Sequence, residues 1–227
     1  MSYRSDEEQL DALKQWWKQN GTGLVVGVVL AGAAVFGWRG WQSYQQTSRE
    51  AASSLYQSFL EATNQEADGD VEARVTLEFV ANQLKNEFPG SAYASYASFS
   101  LAREAVGEDD LESAEAELRW ILASSVTDTL KDVARLRLAR VLAGRESYAE
   151  ALDLLDRVRG TGHQGPVDEV RGDIFLEQGR IDEARDAYGR ALEADPNTIS
   201  GNIVTIKLAD LGEAPVPGES PASLPRQ

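Results

Sequence analysis

One uncharged run stands near the N-terminus, and a much longer stretch follows in which apolar residues return every third or fourth position. The run covers residues 19–38, twenty residues with no acidic or basic side chain. Its centre reads Leu24, Val25, Val26, Gly27, Val28, Val29, Leu30 and continues through Ala31 to Phe36. At ~1.5 Å per helical residue such a run spans about 30 Å, the thickness of a bilayer's hydrocarbon core. Trp16 and Trp17 precede it and Trp38 and Trp41 follow it, so four of the five tryptophans fall where the helix meets the two interfaces. A cleaved signal peptide is the competing reading, with Ala31-Gly32-Ala33 as the cleavage site. Signal peptides want a positive flank and a shorter apolar stretch, whereas here Asp6, Glu7, Glu8 and Asp11 stand against Arg4, Lys14 and Lys18. The pattern therefore predicts an uncleaved anchor. Three basic residues before the span and Arg39 and Arg49 after it leave little positive-inside bias. The short N-terminal tail and long C-terminal part favour a cytoplasmic N-terminus and an exported C-terminal domain. Gly23, Gly27 and Ala31 share one helix face and would let another membrane helix approach closely, although small residues also simply fill membrane helices.

Beyond Trp41 the spacing is helical: Ala52, Leu55, Tyr56, Phe59, Leu60 and Thr63. No Gly or Pro interrupts residues 41–67, so the membrane helix is expected to run on into the next part of the chain. Alternating strand patterns bounded by tight turns do not occur. Three segments then repeat: Leu111-Glu-Ser-Ala114, Tyr148-Ala-Glu-Ala151 and Ile181-Asp-Glu-Ala184, their alanines 37 and 33 residues apart. Four residues after each alanine comes Leu118, Leu155 or Tyr188, and seven after, Ile121, Val158 or Ala191. Twelve before each stands a small residue, Ala102, Ala139 or Gly172. Small residues serve where two helices cross closely and large ones fill the space between pairs.

This pattern resembles the tetratricopeptide repeat. The unit at 166–196 matches best, with Gly172, Phe175, Gly179, Ala184, Tyr188, Ala191 and Pro196, while the two earlier units lack the proline. A degenerate pair is expected over residues 49–63 and 71–88, and a capping helix over 197–211. The expected fold is all-α, a single N-terminal transmembrane helix followed by a tetratricopeptide-like helical-repeat solenoid. Residues 1–18 form the cytoplasmic tail, 19–41 the span and 42–212 the repeat domain. The stretch 213–227 holds four of the seven prolines and is expected to be disordered.

Composition narrows the chemistry. Thirty-seven acidic residues against 22 basic ones give a net charge of -15, which disfavours nucleic acid as a partner. The absence of cysteine excludes thiolate catalysis, disulfides and Cys-type zinc sites, and the single histidine, His163, makes Ser-His-Asp catalysis improbable. Gly160-Thr-Gly162-His-Gln-Gly165 matches a dinucleotide fingerprint in letters but follows a helical segment, so it reads as a turn. Asp68-Gly-Asp70 begins like a calcium loop and lacks the later Gly and Glu. No enzyme activity, cofactor or metal is expected.

The inner face of the repeat stack is the expected working surface. The repeat register places Tyr96, Phe99 and Arg103 there from one unit, Arg137 and Arg140 from the next, and Glu169, Asp173 and Glu177 from the last. An aromatic end, a basic middle and an acidic end suit an extended polypeptide segment. Burial of Tyr96 and Phe99 between helices is the alternative. Tetratricopeptide domains that clamp a C-terminal carboxylate use Lys and Asn where Phe99 and Arg103 stand, which argues against that partner class.

The N-terminal stretch Asp6-Glu7-Glu8-Gln9-Leu10 … Leu13-Lys14-Gln15-Trp16-Trp17-Lys18-Gln19-Asn20-Gly21, a single span and a final Ile203-Val204-Thr205-Ile206-Lys207-Leu208-Ala209-Asp210-Leu211 together look like the bacterial YfgM family, the ancillary subunit of the SecYEG translocon. The resemblance implies inner-membrane anchoring, a periplasmic repeat domain and association with Sec translocon subunits. It also implies a membrane-anchored periplasmic chaperone of prolyl-isomerase type as partner, and a chaperone-like role in transferring unfolded exported polypeptides. A cell-envelope scaffold coordinating wall-synthesis or division proteins has the same architecture and remains the alternative.

Overall fold

The computed structural model describes residues 6–67, 71–194 and 199–212. The chain divides into two compact units, 1–53 and 54–227. No strand occurs among the described residues. Pro196, the Asp68-Gly-Asp70 motif and the proline-rich stretch 213–227 lie outside them.

Helix α1 (Asp6–Ala67) is continuous, as the absence of Gly and Pro from 41–67 predicts. In the first unit its apolar side chains face outward: Val28, Leu30 and Phe36 are 64%, 65% and 76% exposed. A soluble core helix hides such residues, whereas a lipid-facing one presents them. By length and composition α1 can cross a membrane. Trp38 and Trp41 lie with ring centroids 5.3 Å apart just after the apolar run. Side chains built at Gly23 and Gly27 would meet nothing within 4 Å, so that small face is open.

In the second unit α2 (Val71–Glu87), α3 (Ala92–Gly107), α4 (Leu111–Ala123), α5 (Asp128–Gly144), α6 (Tyr148–Asp156), α7 (Gln164–Glu177), α8 (Ile181–Ala194) and α9 (Ile199–Asp210) follow in order. Three antiparallel hairpins, α3–α4, α5–α6 and α7–α8, stack on one another, and their first helices α3, α5 and α7 touch in succession. The repeat register is visible in the packing. Ala114, Ala151 and Ala184 are buried, as are Ala102, Ala139 and Gly172 twelve residues before them. Leu118, Leu155 and Tyr188 fill the core beside these alanines. Val158 departs: it is only half-buried, because α6 ends at Asp156. Helix α9 closes the last hairpin by laying Val204 against Ala184, Tyr188 and Ala191.

The three hairpins also share one turn. Asp109, Glu146 and Gly179, each two residues before its second helix, have φ of 62°, 60° and 73°. In each, the next residue's N–H returns to a carbonyl five residues earlier: Asp110 to Ala105, Ser147 to Leu142 and Arg180 to Phe175, all at 2.8 Å. The positive-φ residue itself donates to Val106, Ala143 or Leu176. This paired closure satisfies the last carbonyls of the first helix and reverses the chain. Only the third hairpin uses the residue that adopts this conformation without steric cost.

The stretch with the dinucleotide-like glycines is a short 3-10 turn, Thr161–His163, between α6 and α7. The N–H groups of Arg159 and Gly160 donate to the buried Asp132 carboxylate at 3.1 and 2.9 Å. The first N–H of the glycine motif is therefore already taken by an acidic side chain of α5, which would also repel a phosphate there.

Candidate functional groove

A cavity of about 430 Å³ opens where α3 and α5 lie side by side. Phe99, Ala102, Val106, Leu111, Leu118 and Val141 form its apolar walls, and Arg103, Arg137 and Arg140 stand around it with Gly144. The helices set this up through their period. Phe99 and Arg103 are four apart on α3, and Arg137 and Arg140 three apart on α5, so each pair shares one face. Phe99 is 8% exposed, which agrees with the buried reading of its ring, yet it lines the cavity as well. The Arg137 guanidinium lies 4.5 Å from the Phe99 ring centroid, a cation–π distance.

Charge at this site is unbalanced. Among the described residues no carboxylate lies within 4.0 Å of Arg103 or Arg137, and Arg140 reaches one only distantly, Glu169 at 3.8 Å. Burial, with Arg140 and Arg103 close by, holds the Arg137 guanidinium below its usual range. A basic, partly desolvated mouth over an apolar cavity can bind; nothing in its chemistry supplies a nucleophile or a proton relay.

The remaining groove residues are distributed differently. Tyr96 is exposed and belongs to an aromatic cluster, its ring 6.0 Å from Tyr56, which in turn lies 5.3 Å from Tyr93 and 5.9 Å from Phe59. Glu169 and Asp173 face α9. Lys207 donates to Glu169 at 3.1 Å and to both Asp173 oxygens at 2.7 and 2.9 Å, and the Tyr188 hydroxyl donates to Asp173 at 2.6 Å. The acidic end is thus occupied by a lysine from within the chain. Glu177 is exposed at the end of α7, its carboxyl pushed up by burial and by Asp173 and Glu146. Phe99, Arg103, Arg137 and Arg140 come together around one cavity; Tyr96 and Glu177 do not line it.

Sequence reasoning placed four of the lining residues, Phe99, Arg103, Arg137 and Arg140, and did not assign the apolar walls to the groove. Leu111 and Leu118 reach the cavity from the second helix α4. Their apolar i, i+7 spacing marks them as inward-facing without saying that they border an opening. Lys207, the basic residue in the last turn of α9, carried a signal only as a helix-end cation.

On the outer side, α3 carries Glu104, whose carboxyl is held above its usual range by burial and next by Glu66, with Arg74 pulling the other way. Arg74 also pairs with Glu108.

The arrangement defines a tetratricopeptide-like interaction protein whose N-terminal helix is long and apolar enough to be an anchor. Residues 14–213 match the family described as tetratricopeptide repeat-like domain. The ancillary SecYEG translocon subunit of Escherichia coli K12 is 32% identical over 209 residues, covering 92% of this chain and 98% of its own length. That of Aggregatibacter actinomycetemcomitans is 32% identical over 212 residues, covering 93% and 100%. The solved structure of Pseudomonas aeruginosa pilF superposes with a TM-score of 0.52 at 24% identity, covering 73% of this chain and 68% of that one, and bears on the fold alone. The chain belongs to the YfgM family of ancillary SecYEG translocon subunits.

Proposed function

We propose that the protein is a membrane-anchored interaction subunit of the Sec translocon that receives exported polypeptides in its repeat groove. Residues 19–41 anchor it in the inner membrane, 1–18 stay in the cytoplasm, and 42–212 stand in the periplasm. There the groove passes unfolded segments to a membrane-anchored periplasmic chaperone of prolyl-isomerase type. The observation that carries this reading is the α3–α5 cavity, an open apolar site with a charged mouth in a protein-interaction fold. The names of the relatives support the translocon as its place of work.

The test is purification of the full chain from membranes in mild detergent, with quantitative mass spectrometry of what accompanies it. Recovery of SecY, SecE and SecG with a periplasmic chaperone is the expected result. Recovery of wall-synthesis or division proteins in their place would select the scaffold reading.

A further inference from the structure

We infer that the α3–α5 cavity selects polypeptide segments in which a large apolar side chain stands next to an Asp or Glu. This rests on the groove reading above and adds the chemistry of the occupant.

Two features of the site point to that chemistry. The first is shape and polarity. The cavity of about 430 Å³ has apolar walls, Phe99 and Leu118 among them, and lies within the ~300–1,000 Å³ range of sites that bury a ligand group. A polar side chain entering it would lose water without replacement hydrogen bonds, so an aliphatic or aromatic side chain is the fitting occupant.

The second is charge. In a chain of net charge -15 with abundant carboxylates, arginines of the repeat unit such as Arg119, Arg145, Arg171 and Arg180 each hold an Asp or Glu. Arg103 and Arg137 have none among the described residues, although both stand at the apolar cavity between α3 and α5. Arg140 beside them shares its single distant carboxylate, Glu169, with Lys207. Like charges so placed repel, and a segment bearing an acidic side chain removes that repulsion. The guanidinium fork matches a carboxylate with two parallel hydrogen bonds, and partial exclusion of water strengthens them. A lysine-bearing segment adds a further positive charge, and a neutral one leaves the repulsion in place.

The test uses the full chain in detergent micelles and three end-blocked, fluorescein-labelled decapeptides that share a sequence except for a central Asp-Phe-Glu, Asn-Phe-Gln or Lys-Phe-Lys. Fluorescence anisotropy should show the acidic peptide binding at least about tenfold more tightly than the amide one, with the difference shrinking as salt rises. Arg103→Gln and Arg137→Gln, which keep most of the side-chain stem, should each remove about tenfold of that affinity, while Arg157→Gln, just past the end of α6 and outside the cavity lining, changes nothing. Circular dichroism of each variant establishes that the helices persist. Equal binding of the acidic and amide peptides, or folded Arg137→Gln protein with unchanged affinity, overturns the inference. So does a tenfold gain when the chain is ended at Gly212, since its own residues 213–227 would then be the occupant. Translocon recovery is measured on the same samples. Its absence with the peptide preference intact removes the Sec reading alone, and the reverse removes the acidic preference alone.

Discussion

Gly172 of α7 faces Tyr188 of α8 so closely that a Cβ added there would lie 2.5 Å from two ring carbons and 3.0 Å from a third. The Tyr188 ring is fully buried, and its hydroxyl is held by Asp173 at 2.6 Å, so the ring cannot step aside freely. Gly172→Ala should gain ~1 kcal/mol from helix propensity. Against this stand overpacking of ~1–3 kcal/mol and weakening of a hydrogen bond to a charged acceptor worth ~1.5–3 kcal/mol. The net expectation is destabilisation by about 2–4 kcal/mol, a fall in melting midpoint of roughly 5–10 °C. Gly189→Ala supplies the contrast: it lies on α8 in the same hairpin with nothing within 4 Å of its Cβ and should stabilise by ~0.5–1 kcal/mol. Thermal and urea melts by far-UV circular dichroism on the full chain measure both, and hydrogen exchange should localise the loss to α7 and α8, because repeat arrays lose stability locally. Adding Tyr188→Leu to Gly172→Ala should recover part of the loss, giving a coupling above about 1 kcal/mol. If Gly172→Ala stabilises as Gly189→Ala does, the proposed helix crossing is wrong.

Four further outcomes are expected. Glu146→Gly should stabilise by ~0.5–1 kcal/mol in the same melts, because φ of 60° strains a side-chain-bearing residue; a loss would mean that the turn is not left-handed. Asp132→Ala should cost ~2–4 kcal/mol at neutral pH by leaving the Arg159 and Gly160 N–H groups without their acceptor. Burial raises the Asp132 carboxyl, but the Gly160 N–H, Arg135 and the Arg159 N–H outweigh it and hold it below the usual range. Its contribution is therefore present above the ordinary carboxylate pKa and lost as pH falls through the depressed one, so the cost of Asp132→Ala should shrink in acid. Glu104→Gln should do the opposite. A carboxyl held above its usual range opposes folding once ionised, so the substitution should stabilise at neutral pH, and the gain should vanish as pH falls below the carboxyl's range. Gly27→Leu should reduce recovery of translocon subunits if the open small face of α1 docks a membrane helix, and undiminished recovery would remove that contact.

The architecture was legible because repeat helices advertise their packing. Ala114, Ala151 and Ala184 recur with small residues twelve before them, and these positions are buried at the helix crossings. The uninterrupted run to Ala67 likewise announced one continuous helix. What joins distant positions was not legible. Asp132 receives N–H groups 27 and 28 residues away, and Lys207 reaches Asp173 across 34 residues. No local period encodes such pairs, since only the stacking angle of successive hairpins brings them together. The same limit explains the groove. Periodicity put Phe99, Arg103, Arg137 and Arg140 on first helices but also enrolled Glu169 and Asp173, whose charges α9 occupies. The shared left-handed turn was half-visible: Gly179 signals it, while Asp109 and Glu146 adopt it against their own preference because the hairpin closure dictates it.

The most direct test of a groove that receives exported chains is site-specific photocrosslinking in cells with a translocation intermediate arrested in the Sec channel. A photoreactive residue at position 103, at the cavity, is compared with one at position 112, exposed on α4 and outside the cavity lining. The predicted result is a crosslink to the arrested polypeptide from position 103 and none from 112. Equal crosslinking from both positions, or none from 103 while the protein still co-purifies with the translocon, would contradict it.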